Sequence, residues 1–221
     1  MTTRLVLSMF LAGLTFVQVS VASGPQLSSR PAESWIARLE RPERVSGLKI
    51  PEVVEKLGLT PGDVVADLGA GAGVFSWPLA RAVAPGTLYA VEIDKGFIEH
   101  LTKRANEQQI TNVRPVLGQY EDPQLPEKVD LAFFHDVLHH VEKRPEYLQS
   151  VASYLKPSGR IAVIELDATD PNSSHSDEPE LQVMKEDLDT WMTATGLRKV
   201  DEIDMFEGKW FVIYEKGPAT Q

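Results

Sequence analysis

No cysteine occurs among the 221 residues of the chain. Its absence excludes disulfides, a lipidated N-terminal cysteine, thiolate metal sites and a cysteine nucleophile. Clustered positive charge is missing as well. With 22 Lys and Arg against 32 Asp and Glu, the net charge is −10, and no basic run interrupts it. Binding a phosphate backbone needs clustered Lys and Arg, so no nucleic acid is expected as partner. Internal repeats are absent, and no second domain boundary is visible.

What is present begins with an unusual N-terminus. Arg4 precedes Leu5 to Val21, a run without a charged residue, and Ala22-Ser23-Gly24-Pro25 follows. A basic start, an apolar middle and small residues at a cleavage point predict a signal peptide over residues 1–23, cut after Ala22 or Ser23. The mature chain is then exported, to the periplasm or beyond, and has no membrane span. The alternative is an uncleaved membrane anchor. The run is near the lower limit for spanning, and Ser8, Thr15, Gln18 and Ser20 dilute it. Residues 24–49 read as an N-terminal arm or lid, 50–217 as one domain and 218–221 as a tail.

Along that domain, short apolar runs alternate with segments of helical periodicity. Strands are predicted at Asp63–Leu68, Thr87–Ile93, Asn112–Leu117, Val129–Phe134 and Arg160–Leu166. Helices are predicted at Ala32–Leu39, Glu52–Leu57, Val74–Ala84, Lys95–Gln108, Arg144–Leu155 and Leu181–Thr195, with Arg41 to Arg44 as an interruption. Arg198–Ile203 and Trp210–Tyr214 flank Glu207-Gly208 and predict a hairpin. The pattern gives an α/β fold of three layers, a Rossmann-like seven-stranded sheet that is mainly parallel. Its one antiparallel strand comes from the C-terminal hairpin.

The first strand runs into Asp67-Leu68-Gly69-Ala70-Gly71-Ala72-Gly73. Glycines there allow positive φ and close approach of a ligand to the backbone. Free N–H groups at the start of the next helix are expected to cradle a polar or anionic ligand. Three ligand classes use such a turn. A P-loop needs Gly-Lys-Ser/Thr, whereas Gly73 is followed by Val74-Phe75, so triphosphates are excluded. A dinucleotide fingerprint needs a third small residue at position 74, where valine stands. The remaining form is D-x-G-x-G-x-G, with Asp67, Gly69, Gly71 and Gly73.

That form resembles the class I S-adenosylmethionine-dependent methyltransferases, over nearly all of Ile50 to Glu215. Glu92 ending the second strand, Glu121 and Asp122 after the third, and the Leu155-Lys156-Pro157-Ser158-Gly159-Arg160 lead into the fifth carry it further. It is similar in particular to small-molecule methyltransferases of the ubiquinone and menaquinone type, and to exported bacterial methyltransferase-domain proteins with His-His after the fourth strand. The resemblance implies S-adenosyl-L-methionine as cofactor and a small-molecule acceptor. It implies Glu92 on the ribose diol, Gly69, Ala70, Gly71 and Gly73 beneath the cofactor, and Asp67 toward its ammonium. Glu121 and Asp122 would meet the adenine amino group, with Tyr120 or Ile93 against the ring. Gln119 stands where many relatives carry an acid.

His135 and Asp136, just past the fourth strand, are expected where the reacting methyl faces the substrate, and His135, His139 and His140 are candidates for a general base. The spacing His135-Asp136-x-x-His139 echoes H-E-x-x-H, but His135 caps a strand and a helix face is lacking, so no metal is expected. Trp35, Trp77 and Trp210 read as core or lid packing. Trp35 to Arg44 and the loop Asp167 to Glu180 are expected to flank the acceptor. Two other functions stay open: an exported protein that keeps the fold without activity, and a nicotinamide oxidoreductase.

Overall fold

The computed structural model describes residues 32–217. The signal peptide read over residues 1–23, the first residues of the arm, 24–31, and the tail 218–221 lie outside the described residues. Three near-continuous apolar runs, Val64–Leu68, Thr87–Glu92 and Val129–His135, lie inside the sheet, and Val113–Leu117 forms one edge. β1 (Val64–Leu68), β2 (Thr87–Glu92), β3 (Val113–Leu117) and β4 (Val129–His135) are joined in parallel by β5 (Leu155–Leu166). β6 (Leu197–Ile203) and β7 (Lys209–Lys216) form the hairpin, and β7 pairs antiparallel with both β5 and β6. The spatial order is β3-β2-β1-β4-β5-β7-β6, so β7 alone runs against the rest.

Strand pleating sends alternate residues to opposite faces, and here both faces are covered. Val65 packs with Leu57, Leu79 and Leu101 on one side, while its neighbour Ala66 packs with Leu148, Leu188 and Met192 on the other. The first layer is α3 (Ile50–Lys56), α4 (Ser76–Val83) and α5 (Lys95–Glu107), and the opposite layer is α6 (Arg144–Ser153) and α7 (Lys185–Ala194). Two further helices, α1 (Ala32–Leu39) and α2 (Pro42–Gly47), precede the sheet and contribute no buried residue to the core.

Several boundaries differ from expectation for local reasons. Pro42 opens α2 instead of interrupting a helix, because a proline costs nothing at the first turn. α4 begins two residues late, since Gly73 is still at φ 79°. α7 begins at Lys185 behind a single 3₁₀ turn at Pro179–Leu181. β5 starts five residues early, at Leu155, which pairs with Val129 before the register shifts at Lys156–Gly159. β1 has β2 on one side and β4 on the other, so strand order reverses there. The crevice beyond the carboxyl ends of β1 and β4 is where an open α/β sheet receives its ligand.

Candidate functional site

β1 delivers Asp67 into this crevice almost fully buried, and Oδ2 accepts from the Ser76 hydroxyl at 2.5 Å. Burial pushes the Asp67 carboxyl up to about 6. The chain then hooks over the sheet, with Gly69, Gly71 and Gly73 all at positive φ. At Gly69 the requirement is steric as well, because a Cβ would lie 2.2 Å from Val137 Cγ2. Gly69 and Ala70 both donate their N–H to the Val91 carbonyl at 3.0 Å, and Gly73 donates to Ala70 at 2.9 Å. Gly71 donates to Glu92 Oε1 at 2.6 Å.

The N–H groups of Gly69, Ala70, Gly71 and Gly73 thus have partners within the chain. What the turn presents to a ligand is carboxylate. Asp67, Glu92 and Asp94 line a cavity of about 150 Å³, and a second cavity of about 100 Å³ adjoins it. Glu92 stands at the junction, shared by both cavities together with Gly69, Ile93, Val137 and His140. Its second oxygen accepts from the Ile93 N–H at 3.1 Å, and burial pushes its carboxyl up to about 7 against those two backbone donors.

The second cavity is walled by Val91, Ile93, Gln119, Tyr120, Val141 and Tyr147, a largely apolar slot with one amide. Tyr120 and Ile93 therefore reach it, whereas Glu121 and Asp122 do not. Glu121 is exposed and pairs with Lys143 at 2.5 Å. Asp122 turns back to accept from the Gln124 N–H at 2.7 Å and the Tyr154 hydroxyl at 3.0 Å. Gln119 is the polar group left at that edge. An acid-rich stretch suggested the carboxylates, but Lys143 pairs with Glu121, and a turn N–H with the Tyr154 hydroxyl holds Asp122.

The three histidines separate into different environments. His135, at the end of β4, lines the first cavity, with its ring centroid 4.6 Å from that of Phe75. Burial pushes its imidazole down to about 4. His140 lines both cavities, and burial with the neighbouring His139 and His175 also holds it near 4. His139 lines neither. Its Nδ1 lies 2.7 Å from Glu165 Oε1, and the fully buried Glu165 also accepts its backbone N–H at 3.2 Å.

Sequence reasoning singled out Asp136 beside His135, but not Lys209 or Leu39. Asp136 sits at φ 53°, a conformation rare for residues other than glycine. Lys209 donates to both of its oxygens, at 2.6 and 2.5 Å, and Arg44 lies 3.9 Å away. Trp35, Leu39 and Arg44 bring α1 and α2 to the rim of the first cavity. Residues 167–180 line neither cavity, and the His175 ring lies 5.0 Å from that of His139 and 6.2 Å from that of His140. Trp77 and Trp210 are buried in the core.

A family profile described as a methyltransferase domain matches residues 59–207. The chain belongs to the methyltransferase domain family. Over 120 residues, 53% of its length, this methyltransferase is 32% identical to the mitochondrial ubiquinone biosynthesis O-methyltransferase of Schizosaccharomyces pombe, of which it covers 43%. It is 29% identical over 99 residues, 45% of its length, to the tRNA(Phe) (4-demethylwyosine(37)-C(7)) aminocarboxypropyltransferase of Methanocaldococcus jannaschii, covering 38% of that protein. The methyltransferase thus spans about two fifths of the length of these curated relatives. Its fold is that of a SAM-dependent methyltransferase structure from Aquifex aeolicus, with a TM-score of 0.75 at 20% identity over 85% of this chain and 99% of the other. Among the described residues, no helix of the methyltransferase is long and apolar enough to cross a membrane.

Proposed function

We propose that this methyltransferase transfers the methyl group of S-adenosylmethionine to a small-molecule acceptor. The observation that carries the reading is Glu92 at the junction of the two cavities. A carboxylate fixed there by Gly71 and Ile93 keeps lone pairs for two vicinal hydroxyls, which matches a ribose between a flat base and a charged tail. The apolar slot beside Tyr120, Ile93 and Tyr147 suits adenine, with Gln119 at its edge. On the other side, Asp67 and Asp94 suit a cationic amino-acid tail and sulfonium. The same three carboxylates oppose a pyrophosphate and so weigh against the nicotinamide reading.

The bound cofactor would supply a methyl already activated by positive sulfur. The remaining work of the chain is to hold an acceptor in line and to exclude water. Trp35, Leu39 and Arg44 from α1 and α2 are placed to close over the acceptor. Isothermal titration of the mature chain with S-adenosylmethionine and S-adenosylhomocysteine is the test, and saturable binding is expected. No binding at millimolar cofactor overturns the proposal, as does displacement by NAD(P)H. Binding with no label transferred from methyl-labelled cofactor to any metabolite pool would favour a binding protein that kept the fold. The N-terminal residues 1–23 support export as the setting of this activity, and recovery of the uncleaved chain in the cytosolic fraction would exclude it.

A further inference from the structure

Positive charge is scarce around the crevice, and what there is gathers at one wall. Among the described residues lining the first cavity, Arg44 of α2 is the one Lys or Arg, and its side chain keeps 31% exposure. A guanidinium carries five N–H donors in a planar fork. Here one of them bonds the Leu39 carbonyl at 3.2 Å. The carboxylate that Arg44 faces, Asp136, lies 3.9 Å away, beyond hydrogen-bond reach, and Lys209 from β7 holds both of its oxygens. Of the acids in residues 32–49, Glu40 turns to Arg104 on α5, and Glu33 and Glu43 are exposed. Burial lowers the Arg44 guanidinium from its ordinary value more than Asp136 raises it, and the neighbouring Arg38 lowers it further. Arg38 itself stands over the Trp35 ring, 5.4 Å from its centroid. Burial holds His135, beside Asp136, neutral at working pH. Two guanidiniums and one ammonium therefore meet the one carboxylate of Asp136, and the fork of Arg44 stays largely unfilled beside the cavity.

We propose that Arg44 determines specificity by receiving a carboxylate of the methyl acceptor. This rests on the methyl-transfer reading above and names the class of acceptor for it: a small molecule with an apolar body against Trp35 and Leu39 and a carboxylate on Arg44. The place belongs to the acceptor and not to the cofactor. Asp67, Glu92 and Asp94 stand where β1 and β2 end, whereas Arg44 faces Asp136, where β4 ends on the other side of β1. A planar fork matches the two oxygens of a carboxylate, and an arginine makes that match where a lysine offers only a point charge. A phosphate monoester carries nearly two charges, which Asp136 and the three carboxylates of the cavity oppose. In a chain of net charge −10, this guanidinium is what admits a monoanion to an acidic crevice.

The test titrates the chain, saturated with S-adenosylhomocysteine, with matched probes followed by ligand-detected NMR. The probes are phenylacetate with phenylacetamide, indole-3-acetate with indole-3-acetamide, and phenyl phosphate. In at least one pair the acid should bind roughly 10–100-fold tighter than its amide, the worth of one charge-assisted pair. Arg44→Met should erase that preference and leave the affinity for S-adenosylhomocysteine unchanged. Arg44→Lys should keep part of the preference, since the charge stays while the fork goes. Arg44→Gln, which can still donate to the Leu39 carbonyl, gives the same readout where Arg44→Met fails to fold. Equal affinity for acid and amide, no saturable acid binding at millimolar probe, or a preference that survives Arg44→Met overturns the proposal. Tighter binding of phenyl phosphate also overturns it. So does a loss of cofactor affinity in an Arg44 variant that unfolds at the wild-type urea midpoint, because the guanidinium would then serve the carboxylate of the cofactor. Failure of the wild type to bind S-adenosylhomocysteine instead removes the reading on which the proposal rests.

Discussion

At the scale of single residues, the site is a set of buried carboxyl groups waiting for a cation. Glu92 and Asp67 are pushed up to about 7 and about 6, so near neutral pH the free protein holds part of a proton that an ordinary carboxylate would have lost. A ribose diol donating to Glu92 and a cationic tail near Asp67 both favour the ionised forms. Cofactor binding should therefore release protons, and affinity should rise from pH 6 to a plateau above about pH 7.5. Titration calorimetry in two buffers of different ionisation enthalpy measures that release directly. Uptake of protons, or none, would contradict the charge state argued for the crevice. Glu92→Ala should weaken binding by about 2–5 kcal/mol, the worth of one or two charged hydrogen bonds, as read from the same titrations.

At the scale of the element, the glycine turn works as a wedge between β1 and β4. Gly69 and Gly62 offer a controlled comparison, since both have positive φ, at 71° and 98°. A Cβ at Gly62 meets nothing within 4 Å, whereas one at Gly69 meets Val137. Gly62→Ala should cost about 1 kcal/mol of stability, the backbone penalty alone. Gly69→Ala should cost roughly 2–4 kcal/mol and also displace Val137, which walls both cavities. Urea unfolding of the two variants, paired with cofactor titration, separates backbone from wedge; equal losses would mean that Val137 moves freely. Legibility in the sequence followed the same division. The strands, the turn and Glu92 were readable because each is fixed by neighbours within a few residues. The fates of Glu121 and Asp122 were not, because each depended on which of several nearby partners a polar group chose. Asp136 and Lys209 lie 73 residues apart and meet only because β7 inserts antiparallel beside β5. No local pattern carries that pairing.

At the scale of the whole molecule, the crevice places two opposed sets of titrating groups in one fold. His135 and His140 fall from 6.5 to about 4, and a depressed histidine stabilises the fold above its unfolded value and loses that contribution as pH falls. Asp67 and Glu92 rise from 3.8 and 4.5 to about 6 and about 7. A raised carboxyl contributes fully below its unfolded value and loses that contribution as pH climbs through the folded one. Between about pH 4.5 and 6 each of the four groups changes stability by up to about 1.4 kcal/mol per pH unit, two in each direction, so their effects cancel. Replacing one carboxyl unbalances the set. Glu92→Gln keeps an oxygen for the Gly71 N–H but cannot titrate. Its stability should therefore climb relative to wild type by up to about 1 kcal/mol per pH unit between pH 4.5 and 6.5. Chemical denaturation of both proteins at pH 4.5, 5.5 and 6.5 measures the difference in slope. Parallel curves would mean that Glu92 is ionised throughout and that the crevice is wetter than its burial implies. A steeper variant would place the opposing titrations in the cleft where β1, β2 and β4 end.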